Sequence, residues 1–172
     1  MAIQTEAQFT EIYRANYPDL LRFVRRRAHP LNVDDIVGET FLVAWRRRRD
    51  LPDDPRPWLF RTARNAMLNS ARGANRQTAL AVRIGQADDL PDPGMQLVEK
   101  RLDLVAAWRE LAPVDQEVLA LSVWEDLSAK DAAVTLGCTR AAYAMRLTRA
   151  KRSLAALLST PVTGPISLVP TS

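Results

Sequence analysis

Apolar residues recur at three- and four-residue intervals along most of this chain, and the rhythm breaks where proline and glycine gather. Over residues 8–27, Phe9, Ile12, Tyr13, Leu20, Phe23 and Val24 keep helical spacing, while Pro18 interrupts it. Two short helices or one bent helix are expected there. Arg25, Arg26 and Arg27 close the run as a solvated helix end, where positive charge suits the C-terminal dipole. After a turn at His29, Pro30 and Asn32, Asp34 or Asp35 is placed to cap the next helix. In that helix Ile36, Val37, Phe41, Ala44 and Trp45 form one apolar stripe, with Asp35 and Glu39 off it. Leu42 and Val43 lie further round, as a second core contact, which the pattern favours, or as a docking patch.

Four arginines follow at 46–49 and would point all around a helix, so one carboxylate face cannot neutralise them. Such an excess suits a phosphate clamp. The segment DLPDDPRP, residues 50–57, then rejects helix geometry through its three prolines. Pro57 suits a helix start, and residues 58–72 predict about four helical turns. Leu59, Ala63, Ala66, Met67 and Ser70 are expected inward; Arg61, Arg64, Asn65, Leu68 and Arg72 face another way, with Asn69 adjacent. Amide and guanidinium groups sharing a face hydrogen-bond to base edges and phosphates. Gly73, Asn75 and Gln77 end the helix.

Residues 78–95 show no sustained period and read as a linker, either a bare tether or one whose Asp88, Asp89 and Asp92 occupy a channel meant for nucleic acid. Leu97, Val98, Leu102, Val105, Ala106 and Trp108 place a helix over 96–111, stopped near Pro113. Another begins at Asp115 and runs through Glu117, Val118, Leu119, Leu121 and Ser122 to Trp124. The next stretch has the layout of a helix-turn-helix. Ser128 caps a short helix with Asp131 in the capping-box position, Gly137 ends it, and Thr139 caps its successor. Ala132, Ala133, Leu136, Tyr143, Leu147 and Leu154 would pack this unit, and residues 159–172, with three prolines, read as disordered.

At 172 residues the chain suffices for one domain or two small ones. Its net charge of +4 is unevenly spread. Residues 1–77 carry 14 arginines against 9 acids, so the first part is the stronger candidate for polyanion contact. Residues 96–139 hold 8 acids and 4 bases, whereas residues 140–172 hold 5 bases and no acid, which gives the second helix of the helix-turn-helix the charge a major-groove reader requires. One cysteine and one histidine argue against a disulfide framework, a zinc site or a Cys-His nucleophile, and no cofactor, metal or catalytic group is expected. Cys138 reads as a small buried hydrophobe. With no spanning apolar run and no signal-peptide pattern, no membrane insertion and a cytoplasmic location are expected.

Two blocks carry a resemblance: DDIVGETFLVAWRR followed by PWLFRTARN, and LAPVDQEVLALSVWEDLSAKDAAVTLGCTRAAYAMRLTRAKRSL. In this order the chain resembles the extracytoplasmic-function class of bacterial RNA polymerase sigma factors over nearly its whole length. The resemblance implies an all-α protein of two small helical domains, a sigma-2-like bundle at 1–77 and a sigma-4-like helix-turn-helix at 96–158, joined by an irregular linker. It implies core RNA polymerase and promoter DNA as partners, with docking on the clamp helices of the largest subunit and on the flap of the second-largest, and an anti-sigma factor as a further partner. By position, Asp35, Glu39, Phe41, Leu42 and Trp45 match the clamp-docking helix. Arg46, Arg48, Arg49, Asp50, Arg56, Trp58, Arg61, Arg64 and Asn65 match the minus-ten-binding region, whose loop at 49–57 captures a flipped base. Thr139, Arg140, Ala144, Met145, Arg146, Thr148, Arg149 and Arg152 match the reader of the minus-thirty-five element. The chain departs from the family at Gly38, where glutamine is common, and at Ala141, Ala142, Ala144 and Met145 in the reading helix. These leave apolar contact with thymine methyls as a mode of readout. A stand-alone helix-turn-helix regulator would account for residues 115–153 and leave the arginine run and proline loop without a role.

Overall fold

The computed structural model describes residues 3, 5–71, 78–84 and 95–160. Among these residues all regular structure is helical, as expected. The elements are α1 (Glu6–Arg25), α2 (Val33–Arg46), α3 (Arg56–Ala71), α4 (Met95–Glu110), α5 (Pro113–Val123), α6 (Ala129–Leu136) and α7 (Arg140–Ser159), with a 3-10 turn, Pro30–Asn32, leading into α2.

Thr5 and Gln8 open α1 with a reciprocal capping box. Pro18 lies inside the helix and does not end it. A helix-interior proline costs about 3 kcal/mol, but Leu20, Phe23 and Val24 beyond it are fully buried, at about 1.5–3 kcal/mol each, and burial wins. Neither Asp34 nor Asp35 caps α2. The N-cap is Asn32, without a side-chain bond, because the 3-10 turn already directs the chain into the helix; the two carboxylates sit in the first turn, where they suit the dipole. The inner face of α2 is Val33, Ile36, Val37, Thr40, Phe41 and Ala44. Thr40 escapes notice in the sequence, yet it is buried because its hydroxyl donates to the Ile36 carbonyl at 2.7 Å.

Asp54 Oδ1 accepts from the Arg56 amide at 3.1 Å and starts α3 one residue ahead of Pro57. The buried face of this helix is Leu59, Phe60, Ala63, Met67 and Leu68. Leu68 was expected on the polar side and Ser70 inward, and both are reversed. Phe60, stacked on Phe23 with centroids 4.4 Å apart, sets the direction of burial that small residues alone left open.

Where it is described, the linker is no bare tether. Leu80 and Val82 are buried and Ile84 packs on the core. Val82 donates its amide to Gln116 Oε1 at 2.9 Å and accepts from Trp108 Nε1 at 2.6 Å, while the Arg83 amide donates to the Arg26 carbonyl at 2.8 Å. This alternation of inward and outward residues spans too few positions to register as a period. Asp88, Asp89, Asp92, Gly73, Asn75 and Gln77 lie outside the described residues, as do residues 161–172 of the expected tail; Ser159 still belongs to α7.

In the second helical unit α4 packs against α7 through its C-terminal half, with Ala107 and Trp108 buried. Leu102 and Ala106, expected in its stripe, are exposed; the side chains of Leu97 and Val98 lie outside the description. Pro113 opens α5 instead of preceding it, and Asp115 through Leu121 are buried without a break. Asp126, at φ 48°, turns the chain toward α6, a conformation aspartate tolerates. Ser128, Gly137 at φ 68° and Thr139 then frame α6 and α7 as the capping pattern requires. Contacts between α3 and α6 join the two units, and the Thr135 hydroxyl donates to the Pro57 carbonyl at 3.4 Å.

Candidate nucleic-acid interface

Three surfaces emerge from these helices, and they differ in how accessible their charges are. The first is the outer face of α7. Tyr143, 1% exposed, seats the helix by donating its hydroxyl to the Val118 carbonyl at 3.0 Å, and Ala150 is buried about two turns on. Burial, aided by Cys138, pushes the Tyr143 phenol up to about 12. With that side turned inward, Thr139, Arg140, Ala144, Met145, Thr148, Arg149 and Arg152 are all exposed, Met145 at 75%; Arg146 is half-buried. Arg149 meets Asp115 only loosely, at 3.6 Å with its side chain 62% exposed. The basic face expected of a groove reader is open.

The second surface lies on α2. Asp35, Glu39 and Leu42 are exposed, Leu42 at 48%, so the off-stripe leucine is a surface residue and not the further core contact that the pattern favoured; Val43 is half-buried. Trp45 is half-buried against Phe9, with centroids 5.1 Å apart. Phe41 is buried beside Tyr13 and Tyr17, so it supports this face from below and offers no contact area of its own. No Cβ at Gly38 would meet another atom within 4 Å.

The third surface runs from the arginine cluster to α3. Because α2 ends at Arg46, the cluster does not ring a helix. Arg46, Arg47 and Arg49 are exposed, whereas Arg48 folds over the Trp45 ring at 4.3 Å and donates to the Trp45 carbonyl. Buried Leu51 and Pro55 anchor the following loop and leave Pro52, Asp53 and Asp54 outward; Asp50 is exposed. Trp58 is half-buried, and Arg61 and Asn65 are exposed on α3.

Arg56 and Arg64 are held by the second unit. Arg64 makes a two-pronged ion pair with Glu117, Nε to Oε1 at 2.8 Å and Nη2 to Oε2 at 2.9 Å, and Nη2 also donates to the Thr78 carbonyl at 3.0 Å. Arg56 donates to the Glu125 carbonyl at 2.7 Å and lies 3.0 Å from Asp19. The Glu125 carboxylate takes Arg27 at 2.9 Å and Arg26 at 3.5 Å. Arg27 further donates to the Phe23 carbonyl and covers the Phe23 ring at 3.8 Å. Burial lowers the Arg27 guanidinium from its ordinary range while Glu125 opposes that shift. Arg26 and Arg27 are therefore not the solvated helix end the sequence suggested, since their carboxylate lies about a hundred residues away and no local pattern reveals it. Glu117 and Glu125 were likewise missed. One signal was available for Glu117: a carboxylate in a helix apolar on every side has to find a cation.

Known proteins match in the same two parts. Residues 12–77 match the model of Sigma-70 region 2, and residues 101–154 that of Sigma-70, region 4. RNA polymerase sigma factor CnrH of Cupriavidus metallidurans is 36% identical over 141 residues, covering 74% of this chain and 73% of the relative. The ECF RNA polymerase sigma factor SigM of Bacillus subtilis is 27% identical over 158 residues, covering 86% and 93%. In three dimensions the chain is similar to the sigma factor RpoE in complex with the anti-sigma factor NepR from Bartonella quintana, with TM-score 0.65, 23% identity and coverage of 89% and 98%, a likeness of fold. It is similar also to CnrH in complex with the cytosolic domain of CnrY, with TM-score 0.61, 26% identity and coverage of 90% and 89%. The chain belongs to the extracytoplasmic-function class of RNA polymerase sigma factors, proteins that bind core RNA polymerase and promoter DNA and direct promoter recognition and transcription initiation.

Proposed function

We propose a division of that work among the surfaces just described. Residues 1–77 dock on core polymerase and bind the minus-ten element, residues 78–95 connect, and residues 96–158 bind the minus-thirty-five element. Asp35, Glu39, Leu42 and Trp45 meet the clamp helices of the largest subunit; the exposed acids and leucine on one side of α2 support this. The loop after Arg49 and Asn65 on α3 capture a flipped base, with Arg46, Arg48, Arg49, Asp50, Arg56, Trp58, Arg61 and Arg64 around it. The open face of α7 reads the upstream element, and this face is the observation that carries the reading. A cleft of about 510 Å³ between α4 and α7, bordered by Ala106, Leu157 and Leu158, suits the flap of the second-largest subunit. The protein acts in the cytoplasm and performs no catalysis itself; among the described residues no helix is long and apolar enough to cross a membrane. An anti-sigma factor is a further partner, as it is for the RpoE of the solved complex.

Run-off transcription with purified core polymerase over a promoter library tests this. Transcripts are expected from the two proteins alone; a stand-alone regulator would need another sigma factor. Asn65→Ala should reduce promoter opening at least about tenfold with core affinity intact, whereas Asp35→Arg with Glu39→Arg should abolish core binding. An Asn65→Ala variant that opened promoters normally but lost core affinity would refute the assignment.

A further inference from the structure

Burial of Tyr143 and Ala150 fixes which side of α7 faces away from the chain. Opposite them, on one line along the helix, stand Ala141, Met145, Thr148 and Arg152, all exposed, with Ala144 exposed beside them. Before Arg152 this line carries no free proton donor: Ala141 and Met145 have none, and the Thr148 hydroxyl donates to the Ala144 carbonyl at 3.1 Å. Guanine presents only acceptors at its major-groove edge, so this part of the face has nothing to give it. What stands there is the Met145 side chain, 75% exposed and within the first two turns after the Thr139 cap, where a helix-turn-helix reader meets base edges. We propose that Met145 sets base identity in the upstream element by packing on the C5-methyl of a thymine, so that the element carries an A·T pair beneath this part of α7.

A lone exposed methionine is ordinary on a protein surface, and it is the surroundings that distinguish this one. Arg140 stands at the start of the helix, Arg149 and Arg152 follow Met145 by one and two turns, and all three are exposed. Residues 140–172 hold no acid, so backbone phosphates would seat the helix with Met145 over the base edges. Ala141 and Ala144 are short, which leaves the thioether free to project past them. Methionine is unbranched and polarizable, and it follows an irregular apolar edge without demanding one rotamer. Among the four bases only thymine carries a methyl group in the major groove. Covering that methyl should be worth about fourfold in affinity, the transfer free energy of one buried carbon. The arginines on either side then supply affinity that is indifferent to sequence, and Met145 supplies the preference.

The inference rests on the assignment of α7 to the minus-thirty-five element, so the two are tested separately. Holoenzyme is assembled from the full-length protein and core polymerase on a promoter chosen by the run-off screen, and each thymine of the upstream element is replaced in turn by deoxyuridine, which removes the methyl and keeps the pairing. At one position wild-type affinity should fall about fourfold. Met145→Ala should bind the unmodified promoter about fourfold more weakly and lose nothing further at that position, because both changes remove one contact. Met145→Leu should keep the sensitivity to the methyl, and Met145→Gln, of similar length but polar, should lose it. Arg149→Ala should weaken every promoter version alike. An upstream element without an A·T pair, wild-type indifference to every methyl, or full sensitivity retained in Met145→Ala would overturn the role of Met145. So would Met145→Ala weakening core binding in the absence of DNA, which would mark a protein contact. If replacing the whole upstream element by unrelated sequence left transcription unchanged, the assignment of α7 would fail and Met145 with it; if that replacement abolished transcription while every methyl was dispensable, methyl readout alone would fail.

Discussion

Two arginine-bearing faces of this sigma factor carry similar charge and are in opposite states. On α7, Arg140, Arg149 and Arg152 stand in solvent with one loose ion pair among them. On α3 and the end of α1, Arg64, Arg56, Arg26 and Arg27 are drawn into contacts with carboxylates or carbonyls of the other unit. The difference lies in the surroundings, since α5 brings a buried Glu117 against α3 whereas nothing acidic occurs in residues 140–172 to cover α7. Charge along a sequence thus locates a cation and leaves its occupancy to the packing.

The largest effect that can break this contrast is on stability. Arg27 is 1% exposed and its removal leaves Glu125 as a buried charge with only Arg26 at a longer distance. Arg27→Ala should cost about 3–5 kcal/mol in urea denaturation. Arg149→Ala, removing an equivalent charge from the open face, should cost at most about 1 kcal/mol. Equal losses would mean that the two faces are not differently held.

The same contrast explains what was legible beforehand. Ser128, Gly137 and Thr139 act within four residues of themselves, through hydrogen bonds and a left-handed turn that those residue types favour, so the helix-turn-helix could be read directly. The helices of the first unit were likewise visible as apolar stripes, with errors where a bulky residue outvoted the small ones, as Phe60 does on α3. Asp35 and Glu39, proposed to dock, lie on an exposed side off the stripe as the periodicity implied, whereas Leu42, favoured by the pattern as a core contact, is exposed, and Phe41 is buried by aromatic neighbours on α1. Illegible were the pairings across 53 and 98 residues that hold Arg64 and Arg27, and the short alternation of Leu80, Val82 and Ile84 that ties the linker down. Each depends on how the units meet, a property no window of sequence contains.

Two glycines sharpen the comparison at a smaller scale. Gly137, between α6 and α7, has φ 68°, and an added Cβ would stand 3.4 Å from the Arg61 guanidinium, an ordinary contact distance. Gly137→Ala should therefore destabilise by about 1–2 kcal/mol through backbone strain and not through crowding. Gly38, on the exposed side of α2, has open space around it. Gly38→Ala should stabilise by up to about 1 kcal/mol, because the helix then loses a flexible residue. Thermal melts of the two variants should shift in opposite directions; a downward shift at Gly38 would show that its freedom serves the first unit.

The smallest effect concerns the residue that keeps the open face open. Tyr143 turns inward from α7 and donates to the Val118 carbonyl, which fixes the side on which Arg140, Met145 and Arg149 emerge. Tyr143→Phe removes the hydroxyl, and with it a net contribution of about 0.5–1.5 kcal/mol, set against a carbonyl left without that donor. The pH dependence has a definite sign. Folding holds the phenol neutral and lifts it to about 12 from an ordinary value of about 10, so its contribution is complete below pH 10 and is lost as pH rises toward 12. Wild-type stability should fall across that alkaline window more steeply than that of Tyr143→Phe, and absorbance at 295 nm should show the phenol ionising there. Parallel curves for the two proteins would mean that Tyr143 does not carry the shift and that the seat of α7 rests on its apolar neighbours alone.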